Sequence, residues 1–252
     1  MKSLICLVSC QPNRATRQAA VLSTWATDLD QDELDFVIVE GGHAGPNRIE
    51  GNRLLLTVGD GYEDLAEKTF EAMLFIREAF NPSGILKCDD DTYLNIKLLR
   101  GLLPFMQDYL GNWPHDQDQF SGYAQGGAYW LSTEAISKLT DKPFATYSKS
   151  RWYKGNTRMR RKGEKSYREQ VSIEDLMVGD ILCENNVKFS QDKRFNIHPF
   201  PSVYENPSLL SCHHVTPSAM HWIHRQQDWL RHPFKKYFAK IIKYFPSCKP
   251  PR

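Results

Sequence analysis

Along the first hundred residues, dense apolar runs alternate with apolar positions at helical spacing. Leu4-Ile5-Cys6-Leu7-Val8 is unbroken by any charged residue, the pattern of a strand covered on both faces. Asn13 is placed to cap a helix running to about Ala26. Leu34 to Val39 predicts a second strand, closed by Gly41-Gly42, and Arg53 to Val58 a third. A helix from about Tyr62 to Phe80 sets Leu65, Thr69, Ala72, Met73 and Ile76 along one face. Asn81-Pro82-Ser83-Gly84 ends that helix, Ile85 to Cys88 returns to the sheet, and a further helix spans about Asn95 to Leu103. Such alternation predicts an α/β domain on a mostly parallel sheet with both faces covered.

After Gly126-Gly127 the pattern predicts a short strand, Ala128 to Leu131, and a helix capped by Ser132. Segment 145–172 has no apolar periodicity and reads as a mobile loop. Ser172, with Asp175 three positions on, opens a helix through about Asn185. The stretch from Phe189 to Pro217 is proline-rich and irregular. Near the end, Phe234, Tyr237, Phe238, Ile241 and Phe245 share one helical face opposite Lys235, Lys236, Lys240 and Lys243. That is a basic amphipathic helix.

Charge sharpens this division. The net charge is +2, but residues 151–168 carry eight Lys and Arg against Glu164 alone, and residues 231–252 carry seven with no acid. Each segment contributes +7 and the remainder is left at −12. Two basic appendages on an acidic body imply an anionic partner for the appendages. The length of 252 residues suits one sizeable domain, and no run approaches the roughly 20 apolar residues of a membrane span. A signal peptide is not expected, because Ser3 to Cys10 is too short and leads straight into the folded pattern. The six cysteines show no CxxC pair or zinc spacing, so reduced, mostly buried thiols and a cytosolic setting are expected.

The candidate chemistry begins with Asp89, Asp90 and Asp91, directly after the apolar run that ends at Cys88. Three adjacent carboxylates at the end of a buried strand repel one another and call for a cation. Carboxylate oxygens suit Mg²⁺ and Mn²⁺, which bridge proteins to phosphates, and the carboxyl ends of strands are where open α/β sheets bind ligands. Taken alone, the triplet is equally an acidic turn capping the next helix.

Further motifs follow one order. Arg17 precedes Thr24-Trp25; Asp60-Gly61-Tyr62-Glu63-Asp64-Leu65 leads to Lys68-Thr69; then come Lys87-Cys88-Asp89-Asp90-Asp91, Gly126-Gly127-Ala128-Tyr129-Trp130-Leu131-Ser132, Glu174-Asp175-Leu176-Met177-Val178-Gly179 and Cys212-His213-His214-Val215. Over roughly residues 2–220 the chain resembles the β1,3-glycosyltransferase family of galactosyl- and N-acetylglucosaminyltransferases, which includes Fringe and the core-1 synthase. The resemblance implies an α/β GT-A glycosyltransferase fold: a single Rossmann-like mixed sheet with helices on both faces. It also implies a UDP-sugar donor, Mn²⁺ or Mg²⁺, and inversion at the anomeric carbon. Its residue roles are Asp91 on the metal and Asp89 or Asp90 on the donor, or on the metal through water. His213 would be a metal ligand, with His214 as the other candidate in the pair.

Asp175 stands at the family's catalytic base. Arg17, Asp60, Lys68 and Lys87 would lie around the nucleotide, with capping or salt-bridge roles as the plainer alternative. Gly126 and Gly127 would lie against the donor sugar or acceptor, or simply form a tight turn. Trp130 is either core or an acceptor platform. Asp64 stands where Asn is usual, Leu176 where Val is usual, and Cys88 separates the lysine from the aspartates. No N-terminal anchor or stem precedes the first strand, which points to a bacterial or viral member, or to a trimmed catalytic domain of the Golgi lumen.

Residues 1–225 are thus expected to form the catalytic domain, with a basic flexible loop at 145–172, and residues 226–252 a basic amphipathic tail. The tail suggests a cytoplasmic protein in peripheral contact with a membrane through residues 231–252, acting on a glycan or lipid-linked glycan acceptor. Alternatively its apolar face packs on the domain. The loop would close over UDP or guide an anionic acceptor. A nucleic-acid acceptor would use Arg151-Trp152-Tyr153, which mixes charge with stacking groups. Other classes are a non-catalytic glycan- or nucleic-acid-binding module on the same fold, and a metal-dependent nucleotidyltransferase or phosphatase.

Overall fold

A computed structural model describes residues 2–30, 32–113, 122–153, 157–162, 165–170 and 173–231. In chain order its first elements are β1 (Ser3–Val8), α1 (Ala19–Leu22), β2 (Leu34–Glu40), β3 (Arg48–Glu50), β4 (Arg53–Leu55), α2 (Leu65–Phe80), β5 (Gly84–Asp89), β6 (Tyr93–Leu94) and α3 (Ile96–Leu102). There follow β7 (Tyr109–Gly111), β8 (Ala128–Ser132), α4 (Thr133–Leu139), β9 (Thr157–Lys162), β10 (Lys165–Gln170), α5 (Glu174–Glu184), β11 (Phe189–Gln191), β12 (Phe195–Asn196), β13 (Ser211–Cys212) and α6 (Pro217–Arg231). The main sheet is mixed, eight strands in the order β11-β7-β8-β5-β1-β2-β4-β3. Its centre, β5-β1-β2-β4, is parallel, and β8 and β3 join it antiparallel.

The unbroken apolar run of β1 has a direct reason. Leu4, Cys6 and Val8 enter one core with α2, α4 and α5, while Ile5 and Leu7 enter a second core with α1, α3 and α6. A strand covered on both faces has no solvent-facing position for a polar residue. In α2 the predicted stripe holds, with Thr69, Ala72, Met73 and Ile76 fully buried.

Several expectations need correction. Asn13 does not cap a helix; its side chain donates to Asp90 at 2.8 Å, and the segment runs through a 3-10 turn and a π-helical turn, Arg14–Gln18, before α1. The third strand is shorter than predicted and forms a hairpin with β3 through Gly51, whose φ is +61°. Helix α5 begins at Glu174 with Ile173 in the capping position; Ser172 lies outside the described residues. Within the predicted loop, β9 and β10 pair as an antiparallel hairpin. Highly charged strands carry no apolar alternation, so the pattern could not announce them.

Trp152, proposed above as a stacking group, is 1% exposed and packs against Phe144 and Tyr147, and Arg151 pairs with Asp180. Trp130 is 3% exposed and belongs to the core. Tail residues 232–252, with the proposed amphipathic face, lie outside the described residues. No helix among the described residues is long and apolar enough to cross a membrane.

Candidate active site

The triplet sits where β5 leaves the sheet, and each aspartate meets different surroundings. Asp90 is turned inward: Ser9 (2.6 Å) and Asn13 (2.8 Å) donate to Oδ2, and Arg17 (3.0 Å) donates to Oδ1. Both of its oxygens therefore anchor the end of β1 and the π-helical turn. Asp91 faces outward, with Arg17 Nη1 at 3.7 Å, His213 Nε2 at 3.1 Å and His214 Nδ1 at 3.7 Å. Burial pushes the Asp91 carboxyl up, but the His213 hydrogen bond and the nearby His213, Arg17 and His214 side chains outweigh it and hold the group below its ordinary value. Asp89 is bound on one oxygen by Lys87 (2.7 Å), and its other oxygen lies 3.6 Å from His213.

The histidines reach the triplet through small-scale pairing. β13 lies antiparallel to β6, two residues past Asp91, and the Val215 N–H donates to the Asp91 carbonyl at 2.8 Å. Gly127 lies directly beneath the His213 ring, where a Cβ would collide with the imidazole. At Gly126 a Cβ would stand 3.0 Å from Glu174 Oε2. The glycine pair thus admits close approach of the protein's own side chains.

The start of α5 lines the same cavity. Lys87, fully buried, gives its three ammonium protons to Asp89 Oδ1 (2.7 Å), the Gly126 carbonyl (2.6 Å) and Glu174 Oε2 (3.1 Å). The Tyr129 hydroxyl donates to the other Glu174 oxygen. Lys87, expected around the nucleotide, therefore lies beneath the floor of the site with its hydrogen bonds spent inside the protein. Burial pushes its pKa down, but Asp89 and Glu174 more than reverse this and keep the ammonium charged. Burial pushes Glu174 up to about 7; Lys87 opposes this, Asp89 and Asp175 add to it, and the Tyr129 hydrogen bond opposes it. Asp175 is also raised, chiefly by burial; the Leu176 N–H, the Lys87 charge and the Gly126 N–H offset part of this, and Asp89 adds to it.

On the third side, Asp60 accepts from the backbone N–H groups of Gln11 and Gly41 (2.8 Å each) and from Lys68 (3.0 Å), which also donates to the Ser9 carbonyl at 2.7 Å. This pair stitches three loops at the carboxyl ends of the parallel strands.

One cavity of about 460 Å³ is lined by Arg17, Asp60, Lys68, Asp89, Asp90, Asp91, Gly126, Gly127, Asp175, His213 and His214. Of the residues expected around the donor, the metal or the base, Lys87 alone does not line it. The sequence reading missed Ser9 and Asn13, which orient Asp90, and the Tyr129–Glu174 contact under the floor. Glu174 carried a signal, as a second acid beside Asp175 at a helix start. Ser9 and Tyr129 carried none, because serine after a strand and tyrosine within one are common.

No protein-family model and no curated protein matches the sequence. Among solved structures, the chain superposes on a crystal structure of a glycosyltransferase involved in the glycosylation of the major capsid of PBCV-1, with TM-score 0.53 and 12% identity over 88% of this chain and 99% of that chain. It also resembles the galactosyltransferase LgtC in complex with donor and acceptor sugar analogs, with TM-score 0.49 and 12% identity over 89% of this chain and 94% of that one. The first likeness shows the fold, the mixed α/β sheet of GT-A glycosyltransferases; identity this low transfers neither residue roles nor substrates.

Proposed function

We propose that this chain, folded as a GT-A glycosyltransferase, is an inverting, metal-dependent enzyme. It moves a hexose or N-acetylhexosamine from a UDP-sugar to a glycan hydroxyl and forms a β1,3 linkage. The observation that supports this best is one cavity with two unlike walls: a carboxylate–imidazole cluster, Asp91 with His213, and a mostly buried carboxyl of raised proton affinity, Asp175. The cluster fits a divalent ion, because a carboxylate oxygen and an imidazole nitrogen already converge at 3.1 Å and match the donors that Mn²⁺ accepts. A bound Mn²⁺ or Mg²⁺ would neutralise charge on the departing diphosphate.

The chain's own residues supply the rest. Arg17, with 44% of its side chain exposed, presents a guanidinium beside the cluster and can donate to a phosphate oxygen. Asp90 holds Arg17 at 3.0 Å and so fixes its direction. Asp175 accepts the proton of the acceptor hydroxyl as that oxygen attacks. Inversion demands this carboxylate on the face opposite the leaving group, and Asp175 lines the same cavity as the Asp91–His213 cluster. Burial raises the proton affinity of Asp175, which improves it as a base at neutral pH.

The test is a panel of UDP-sugars with UDP release measured in Mn²⁺ and in EDTA. Release supported by one donor and abolished by EDTA is expected; turnover in EDTA would overturn the metal-dependent mechanism. The lipid-linked acceptor rests on the charge of residues 231–252. It predicts co-sedimentation with anionic liposomes, which deletion of 231–252 should abolish. Equal pelleting of both proteins would discard it.

A further inference from the structure

The cluster holds one imidazole more than that reading requires. His213 Nε2 lies 3.1 Å from Asp91 Oδ1, and His214 Nδ1 lies 3.7 Å from Asp91 Oδ2. One ligand atom from each of Asp91, His213 and His214 lies within 4.8 Å of the others. Small side-chain rotations close such a set onto one ion, whose bonds to nitrogen and oxygen run roughly 2.0–2.2 Å.

The backbone supplies an independent observation. Consecutive side chains of an extended chain point to opposite faces, so neighbouring histidines should not reach the same carboxylate. Here His214 adopts φ +59°, a left-handed conformation that few non-glycine residues take, Asn, Asp and His more often than the rest. It breaks the alternation and stacks the two imidazoles, with ring centroids 3.8 Å apart and planes at 24°. Hydrogen bonds on both flanks hold it: the His213 N–H donates to the Asn196 carbonyl at 3.0 Å, and the Val215 N–H to the Asp91 carbonyl at 2.8 Å. Unusual backbone persists only where the surroundings over-determine it, and such places cluster at ligand sites.

We infer that Asp91, His213 and His214 form a two-imidazole, one-carboxylate site that selects a first-row transition-metal ion over Mg²⁺. This rests on the reading of Asp91 and His213 as cation ligands and adds His214 to it. Mg²⁺ demands oxygen donors and retains its water, whereas imidazole favours later ions. Affinity therefore rises from Mg²⁺ through Mn²⁺ to Co²⁺ and Ni²⁺. Asp89 is a weaker candidate for the set, because Lys87 occupies one of its oxygens.

The experiment is calorimetric titration of the full chain with MgCl₂, MnCl₂ and CoCl₂, with and without UDP, alongside the visible spectrum of the Co²⁺ complex. The variants are His213→Asn and His214→Asn, since asparagine tolerates the left-handed backbone; His214→Gly serves if the latter melts early. Co²⁺ is expected to bind at least about 100-fold more tightly than Mg²⁺. His214→Asn should weaken Co²⁺ at least about tenfold and alter its spectrum, while leaving Mg²⁺ affinity within about a factor of two. Wild-type Co²⁺ affinity and spectrum in both His214 variants, with loss in His213→Asn, would overturn the inference and leave the Asp91–His213 reading standing. Mg²⁺ binding as tight as Co²⁺ would also overturn it. Absence of all binding, with or without UDP, would sink both.

Discussion

The two walls of the cavity hold carboxylates whose proton affinities move in opposite directions. Asp91 is held below its ordinary value, since its burial is outweighed by His213, Arg17 and His214. Asp175 is raised, because its burial outweighs the Leu176 and Gly126 N–H groups and the charge of Lys87. Both are aspartates, so residue type explains nothing; the neighbours do. Basic side chains face Asp91 directly, whereas the cation serving the other wall, Lys87, lies beneath the floor and is shared among Asp89, Gly126 and Glu174. Environments that push two acids apart are how one site provides both an electrostatic stabiliser and a proton acceptor.

The division breaks most visibly at Asp175. In the proposed mechanism Asp175→Asn keeps the shape and removes the proton acceptor, so kcat should fall by roughly 10²–10⁴ while UDP–Mn²⁺ affinity measured by calorimetry stays near wild type. Wild-type turnover would clear Asp175 of its role. Next in size is Lys87→Met. It strands Asp89 and the buried Glu174 without their shared cation, and losing one partner of a buried ion pair costs about 3–5 kcal/mol. Urea unfolding should show that loss, and adding Glu174→Gln should recover part of it. No recovery would mean that the lysine acts through packing.

How much of this was legible differs between the walls. The strand–helix alternation and the Asp89–Asp91, Glu174-Asp175 and His213-His214 motifs could be read, because apolar runs and charged motifs are local. The closure of the cation wall could not. It depends on β6 and β13, two residues each, too short to carry any periodicity. The left-handed His214 is likewise invisible in a sequence that shows only two histidines. Under the base wall, the resemblance puts Lys87 around the nucleotide. Only packing reveals that Glu174, Asp89 and a carbonyl buried with it use all its donors. Helix α6 escaped because its start at Pro217 merged with the proline-rich stretch before it.

A smaller effect separates Arg17 from the residues that hold it. Arg17→Ala leaves Asp90 bound by Ser9 and Asn13, so the fold should survive. A charge-assisted hydrogen bond contributes about 1.5–3 kcal/mol, so UDP affinity should weaken roughly tenfold or more, with little change in affinity for uridine, which lacks the diphosphate. Equal weakening for both would place Arg17 away from the phosphates.

The smallest expected effect is a pH dependence confined to the base wall. Glu174 has an ordinary value of 4.5 and is pushed to about 7 in the folded chain, first by burial and then by Asp89 and Asp175 against the pull of Lys87 and Tyr129. The folded state therefore binds this proton more tightly than the unfolded state, and stability falls with rising pH wherever that holds. The contribution is fully present below pH 4.5 and is lost as pH rises towards about 7. Other carboxylates work in the opposite sense: Glu40 and Asp91 are lowered and favour the folded state at higher pH. The measurement is thus a difference. Melting temperatures of wild type and Glu174→Gln, taken from pH 4 to 8, should diverge across that window, with wild type losing ground relative to the variant as pH rises. Parallel curves would mean that Lys87 holds Glu174 ionised throughout. The base wall would then carry a fixed ion pair, and the contrast with the cation wall would rest on Asp175 alone.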